Sequence, residues 1–341
     1  MFRRVNPCAA LQSNPFVLAP MAGITDHPFR TFMHDLGASV VVSELVSATG
    51  LEYKSARTQA LMSFDDSQRP VAIQLFGENP THMAHAAQLV EHMGADFVDV
   101  NFGCPVPKVV KKGAGSAMLR DLPAMAVLLQ EMVKAVKIPV TIKIRTGWDA
   151  DTRNAHQVVQ VAADAGIAWV AIHGRTRAQA YEGLADWDYI GDVKAKAQIP
   201  ILGNGDIATA SQAVEKLKLY NLDGVMIGRG ALKNPLIFRQ ALELWQTGAT
   251  AGPYPSMTEL FLALHKVIAA RCDERITQIQ LKKFAAWYST GYPGAAQFRK
   301  QIFQVDTTES LLKVALDFLQ QLNNNQKESP NHEGFLMGGH G

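Results

Sequence analysis

The chain has 341 residues, 48% hydrophobic and 19% charged, with 33 Lys and Arg against 31 Asp and Glu for a net charge of +2. The hydrophobic share supports a sizeable core and excludes wholesale disorder. The charge balance excludes a protein that coats nucleic acid over its whole surface, while leaving room for local basic patches. Cys8, Cys104 and Cys272 are scattered, without CxxC or zinc spacing, so neither a disulfide framework nor a metal site is expected. Met1–Arg4 lead into no apolar run of a secretory signal, and no run reaches ~18 apolar residues. The expectation is a cytoplasmic monomer with no membrane contact.

In chain order, β-branched apolar runs fall at Phe16–Gly23, Val40–Val46, Val71–Gly77, Phe97–Cys104, Val140–Gly147, Trp169–Arg175, Ile201–Asp206 and Gly224–Gly230. Most are near-continuous rather than alternating, as parallel strands buried on both faces should be. Helical stretches at Pro80–Met93, Ala124–Val136 and Ser211–Leu219 lie between them. The alternation predicts an α/β fold, a (β/α)8 TIM barrel over residues 1–250. Ala251–Pro255 reads as a linker, and Ser256 with Glu259 fits a capping box. Residues 251–322 are predicted to form a helical domain, broken at Thr290–Gly294. Residues 323–341 are polar and Gly-rich and are expected to be a disordered tail.

A barrel of this kind carries its active site at the C-terminal strand ends. Those ends read Pro20-Met21-Ala22-Gly23, Glu44, Gln74, Asn101 with Cys104, Lys143 with Arg145, His173 with Arg175, Asn204-Gly205-Asp206, and Gly228-Arg229. One polar terminus is ordinary; polar residues at most of the ends point to a functional mouth. The glycine turns of the seventh and eighth units can offer backbone N–H groups to a phosphate, with Arg229 adding a cationic contact. Gly203–Ala208 also matches G-x-G-x-x-A, but in the wrong unit for a dinucleotide-binding motif. Asp206 could equally cap the next helix.

Cys104, after a glycine at the fourth strand end, can act as acid or nucleophile if its environment tunes the thiol; most free cysteines are simply small core residues. Lys108, Lys111 and Lys112 follow on a loop that suits a lid or a polyanion contact. Lys143 fits either a Schiff base or a fixed cation against an electron-rich ring. Gln74 suits the edge of a heterocycle, and His173 a phosphate, a ring oxygen or acid chemistry.

The segments Ala19–Asp26, Asn101–Pro105, Gly113–Ser116, Lys143–Trp148, His173–Arg177, Asn204–Asp206 and Met226–Arg229 together resemble the tRNA-dihydrouridine synthases, most closely the bacterial B type. The likeness spans about 300 residues and agrees with the barrel expectation. It implies FMN in the mouth, reduced by NADPH, with NADH as the possible alternative. By motif, Pro20, Met21 and Ala22 would line the ring, Gln74 and Lys143 would contact it, and His173 would lie beside it. Asn204, Gly205, Asp206, Gly228 and Arg229 would hold the phosphate end. The implied reaction flips a D-loop uridine of tRNA into the mouth, moves hydride from flavin N5 to C6 of uracil, and takes the proton at C5 from Cys104. The B-type likeness points to position 17. A proton donor must be a thiol, so Lys108, Lys111 and Lys112 are assigned to RNA phosphate rather than to Cys104. Asn101, Arg145, Arg175 and Arg177 are further expected substrate or RNA contacts.

The C-terminal helices resemble the family's tRNA-binding domain. Lys282, Lys283, Arg299 and Lys300 are the expected basic patch. Trp287 and Tyr288 are expected in the core rather than stacked on bases. Where B-type members often carry His, this chain has Phe284. Three other readings share parts of this pattern: a small-molecule flavin reductase of the dihydropyrimidine or dihydroorotate type, a phosphosugar lyase using Lys143, and a non-enzymatic RNA-binding module. The helical domain and lysine loop speak against the first. A yellow protein would exclude the other two.

Overall fold

A computed structural model describes residues 4–322. Its parallel strands are β1 (Phe16–Leu18), β2 (Val41–Ser47), β3 (Val71–Phe76), β4 (Phe97–Phe102), β5 (Val140–Arg145), β6 (Val170–His173), β7 (Ile201–Asn204) and β8 (Gly224–Ile227). They pair in the order β1-β8-β7-β6-β5-β4-β3-β2. The ring is drawn together where Leu18 N donates to Val40 O at 2.9 Å and Ser39 N to Phe16 O at 3.0 Å. This is the expected (β/α)8 barrel. The strands stop short of the predicted C-terminal limits because the last residues of each apolar run turn away as loops over the mouth. Met21, for example, closes a turn by accepting from Ile24 N and Thr25 N.

The chain enters through α1 (Pro7–Ser13), capped by Asn6. Outer helices then follow the strands: α2 (His27–Asp35), α3 (Pro80–His92), α4 (Leu122–Ala135), α5 (Ala155–Ala165), α6 (Trp187–Lys196), α7 (Ala210–Leu219) and α8 (Ile237–Thr247). Two short helices, Ala48–Glu52 and Ala56–Ala60, stand in for the missing long helix after β2. Most of these helices start on a side-chain cap that satisfies an otherwise orphaned N–H, such as Asp26 for α2 and Asp121 for α4. Thr209 and Gln212 form a capping box on α7. Asp206 is therefore not the cap of that helix; it lies in the left-handed region (φ +54°) before the cap and does other work.

Inside the barrel, side chains alternate with a period of two. The lower layers hold Val17, Val42, Ala72, Phe97, Trp169 and Leu202, all buried, and Leu11 of α1 packs beneath them. Phe97 and Trp169 meet edge to face, 5.2 Å between centroids.

Four further helices follow: α9 (Met257–Ala269), α10 (Glu274–Tyr288), α11 (Ala295–Phe303) and α12 (Thr308–Leu322). Ser256 and Glu259 form the predicted capping box on α9. The helical pattern breaks between Tyr288 and Ala295, as expected. α9 packs on α2, and α10 packs on the short helix Gly230–Lys233 after β8. Phe284 is buried and stacks on Phe29 of α2, 5.2 Å between centroids. Arg271 pairs with Asp65, and Gln280 Nε2 donates to Asp26 Oδ2 at 3.1 Å. Tyr288 is buried, as expected, and Trp287 packs against the same core. Residues 323–341 lie outside the described residues. Among the described residues no helix is long and apolar enough to cross a membrane, and no group of three or more His, Cys, Asp or Glu could hold a metal.

Candidate active site

The inward positions change character on the way up. Ala72 is followed by Gln74, Phe97 by Asp99 and Asn101, Ala171 by His173, and Leu202 by Asn204; on β5 the inward set is Thr141, Lys143 and Arg145. The strand register places Gln74 beside Asp99, Asn101 beside Lys143, and Arg145, His173 and Asn204 in succession. Residues far apart in sequence thus form one polar layer under the mouth.

A hydrogen-bonded chain crosses this layer. Asp99 accepts from Thr141 Oγ1 at 2.6 Å and from Gln74 Nε2 at 2.6 Å. Gln74 Oε1 accepts from Asn101 Nδ2 at 2.9 Å. Asn101 Oδ1 then accepts the backbone N–H groups of Gly103 (3.1 Å) and Cys104 (2.8 Å). Full burial pushes the Asp99 carboxyl above the usual range, with the Thr141 and Gln74 bonds and Lys143 acting against the shift. Asp99 and Thr141 were absent from the sequence-based candidates. Their inward parity, two residues from Asn101 and Lys143, is the signal that finds them.

Cys104 is buried at the end of this chain. Ser116 clamps its loop, with Oγ donating to Cys104 O at 2.8 Å. Gly115 (φ +60°) crosses so close that an added Cβ would lie 3.0 Å from that oxygen. Burial raises the thiol pKa above its ordinary value, offset in part by Val106 N–H, Arg145 and Lys143. The group is a thiol at neutral pH. Lys108, Lys111 and Lys112 are exposed around the short helix Pro107–Val110 and are not among the charges that act on it.

Lys143 keeps a partial opening to the mouth, yet desolvation and Arg145 bring its pKa down to about 8. His173 is buried and held well below its usual pKa, first by desolvation and then by Lys143, Arg145, Arg175 and Arg229. It is neutral. Its Nδ1 accepts from Arg175 N at 3.3 Å, which leaves the proton on Nε2.

Arg145 and Arg175 tie the loops of the mouth together. Both are buried, with donors committed inside. Arg145 reaches Gly103 O (2.9 Å), Thr176 O and Ala180 O (both 2.7 Å). Arg175 reaches Glu182 O (3.0 Å), Gly183 O (2.6 Å) and Asp206 Oδ1 (2.8 Å). They pin the loop after β6 over the mouth. Asp206 also accepts from Ala185 N at 2.8 Å and lies 3.6 Å from Arg229. The Tyr181 ring of that loop packs under Arg145 and Arg229, 5.7 and 5.1 Å away.

On the β1 side, Gly23 (φ +71°) donates to Glu44, and Ala22 and Gly23 are exposed at the rim beside buried Met21 and half-buried Pro20. Gly228 lies against Met21 and Ala19, where an added Cβ would make ordinary contact with the Met21 sulfur at 3.5 Å. Gly205 is needed for packing: a Cβ there would lie 2.5 Å from Ala185 Cβ. Asn204 Nδ2 donates to Met226 O at 2.7 Å.

The C-terminal lysines take different directions. Lys282 Nζ reaches Phe303 O at 3.5 Å, whereas Lys283 acts on Asp26 beside the mouth. Arg299 and Lys300 sit on α11, half-buried and exposed respectively.

The family described as dihydrouridine synthase matches residues 17–326. A tRNA-dihydrouridine synthase B of Pseudomonas aeruginosa is 38% identical over 318 residues, covering 92% of this chain and 95% of that protein. A probable tRNA-dihydrouridine synthase of Rickettsia bellii is 40% identical over 291 residues, covering 84% and 89%. Among solved structures, histamine dehydrogenase from Rhizobium sp. 4-9 shares the fold, with TM-score 0.54 and 12% identity over 75% of this chain and 49% of that one.

Proposed function

The chain belongs to the dihydrouridine synthase family, and from that premise we propose that it reduces the C5–C6 double bond of a D-loop uridine in tRNA, at position 17, using FMN and NADPH. The observation that carries this reading is the buried Cys104 at the barrel mouth, on a loop held by Asn101 and Arg145, where burial keeps its thiol pKa above the ordinary value.

The residues fit a flavin phosphate. Lys143, Arg145, Arg175 and Arg229 surround a neutral His173, with Asp99 and Asp206 the carboxylates nearby. Such an excess of positive charge in a partly dry site favours an anionic ligand. Pro20, Met21 and Ala22 would line the ring, Lys143 would lie against it, and Asn204, Gly205, Gly228 and Arg229 would take the phosphate end. Asp206 acts through the arginines it holds, since a carboxylate repels phosphate. Gln74, bonded to Asp99 and Asn101, orients the Cys104 loop as well as facing the ring.

A bound flavin supplies the hydride, which no side chain can. Cys104 gives its Sγ proton to C5 of the base, leaving a thiolate. Val106 N–H, Arg145 and Lys143 favour that charge, and solvent restores the proton. Asn101 fixes the backbone that aims the thiol. A paired, stacked uridine cannot reach this buried group, so the base must leave its stack.

The test is a single-turnover experiment. The yellow protein is reduced by NADPH without oxygen, unmodified tRNA is added, and flavin absorbance is followed. Rapid reoxidation is expected, with dihydrouridine mapped to position 17, and Cys104→Ala should slow it by ~10²–10⁴-fold at unchanged flavin content. Reoxidation by free uracil or orotate but not by tRNA would overturn the RNA reading. Equal rates in Cys104→Ala would overturn the acid.

A further inference from the structure

On the rim formed by the loops after β4, β5 and β6, two guanidinium groups converge on one indole. Arg120 lies over the Trp148 ring at 4.8 Å and Arg177 over the same ring at 4.3 Å. The backbone here is tied together. Arg177 N donates to Gly147 O and Ala178 N to Trp148 O, both at 2.9 Å. Thr146 N donates to Arg175 O at 3.2 Å, and Asn154 Nδ2 to Leu119 O at 2.7 Å. Gly147 pairs with Arg153 so closely that a Cβ would meet Thr152 O at 2.5 Å. The platform is thus fixed before any ligand arrives.

Stacking uses the face of a guanidinium and leaves its in-plane N–H groups for an oxyanion. Neither arginine forms an ion pair within 4 Å among the described residues, and Arg177 Nε is buried without a hydrogen-bond partner. Asp149 is the carboxylate that acts on Arg120, and its Oδ1 is engaged by Thr152 N (2.9 Å) and Thr152 Oγ1 (2.7 Å). The strand order sets β4–β6 across the mouth from β8 and β1, where α9 and α10 pack. A macromolecule that touches the C-terminal helices and drops a base into the mouth therefore continues towards this rim.

We propose that Arg120 and Arg177, stacked over Trp148, form a phosphodiester-contact rim for the RNA substrate on the side of the mouth opposite the C-terminal helices. The assignment rests on the tRNA reading above and adds Arg120 and Trp148 to the sequence-based contact Arg177. Trp148 is a positioning residue that holds the two cations.

The experiment measures binding of a labelled unmodified tRNA transcript by anisotropy over ~0.05–0.3 M salt. Each phosphate contact contributes about 0.7–0.9 to the slope of log affinity against log salt. Arg120→Gln and Arg177→Gln should each reduce the slope by about that amount, and the double variant by about 1.5. Trp148→Leu keeps both charges and should lower affinity while largely keeping the slope. Arg120 is exposed, so Arg120→Gln alone reads the effect if Arg177→Gln folds poorly. Wild-type binding with an unchanged slope in the folded Arg120→Gln and double variants overturns the rim alone. A wild-type chain that does not bind tRNA at low salt overturns the tRNA reading and the rim together.

Discussion

The lower and upper halves of the barrel interior are built from the same strands, at the same parity, and do opposite things. Below, Val17, Ala72, Phe97, Trp169 and Leu202 form a dry core closed by Leu11 of α1. Above, Gln74, Asp99, Asn101, Lys143, His173 and Asn204 continue the same inward rows as a polar layer. The lower half gains free energy from burial. The upper half costs free energy, because groups that prefer water or the opposite charge state are held out of water. One strand can therefore hold the barrel closed at one end and sustain chemistry at the other.

The largest expected effect tests the lower half. Trp169 is fully buried, and truncating such a side chain leaves a cavity, so Trp169→Ala should cost about 3–5 kcal/mol. Denaturant melts check it. At low temperature, the folded fraction should keep the flavin content and turnover rate per folded molecule. A selective loss of turnover would show that the two halves are not separable.

A smaller effect of opposite sign tests the upper half. The Lys143 pKa sits at about 8 against an ordinary 10.5, so the native state binds this proton less well than the unfolded chain does. Lys143→Met should therefore stabilise the apoprotein by ~1–3 kcal/mol at pH 7 while weakening flavin retention. The pH dependence follows. Between about pH 8 and ~10.4 the unfolded chain holds more protons than the native one, so this group makes stability rise with pH across that window. Apoprotein melts at pH 7 and pH 9.5 should show the rise in wild type and lose this share of it in Lys143→Met. Flavin retention should fall as pH climbs through about 8, because the ammonium that faces the anionic ligand is lost.

The contrast also explains what the sequence made legible. Strand count and order follow from eight apolar runs, and the mouth from the polar residue that ends each run. Cys104 and Lys143 stood out because they fall at the C-terminal ends of apolar runs, where a barrel carries its chemistry. Asp99 and Thr141 did not, because they lie two residues further down their strands and only the register of β3, β4 and β5 joins them to Gln74 and to each other. The loop contacts of Arg145 and Arg175 were not legible, because a sequence shows charge but not the carbonyls that a guanidinium meets. Apart from Gly103 O, those carbonyls belong to the loop Thr176–Gly183, whose path is set by tertiary contacts. Two short helices after β2 left no long periodic stretch to detect.

The smallest predicted effect concerns the seam between barrel and C-terminal helices. Phe284 stacks on Phe29 and lies one helical turn before Tyr288, 6.1 Å between the 284 and 288 rings. The Tyr288 hydroxyl is buried without a hydrogen-bond partner. An imidazole at 284, as the family resemblance expects, would offer that hydroxyl an acceptor; phenylalanine cannot. A buried polar group without a partner costs about 1–3 kcal/mol. Tyr288→Phe should therefore be neutral or stabilising by about 1 kcal/mol in this chain. Phe284→His should be tolerated when Tyr288 is present and destabilising when it is Phe, by about 1 kcal/mol more. A double-mutant cycle from denaturant melts gives this coupling. A coupling near zero would mean that the two side chains do not meet, and that the hydroxyl's lack of a partner is unrelated to the residue at 284.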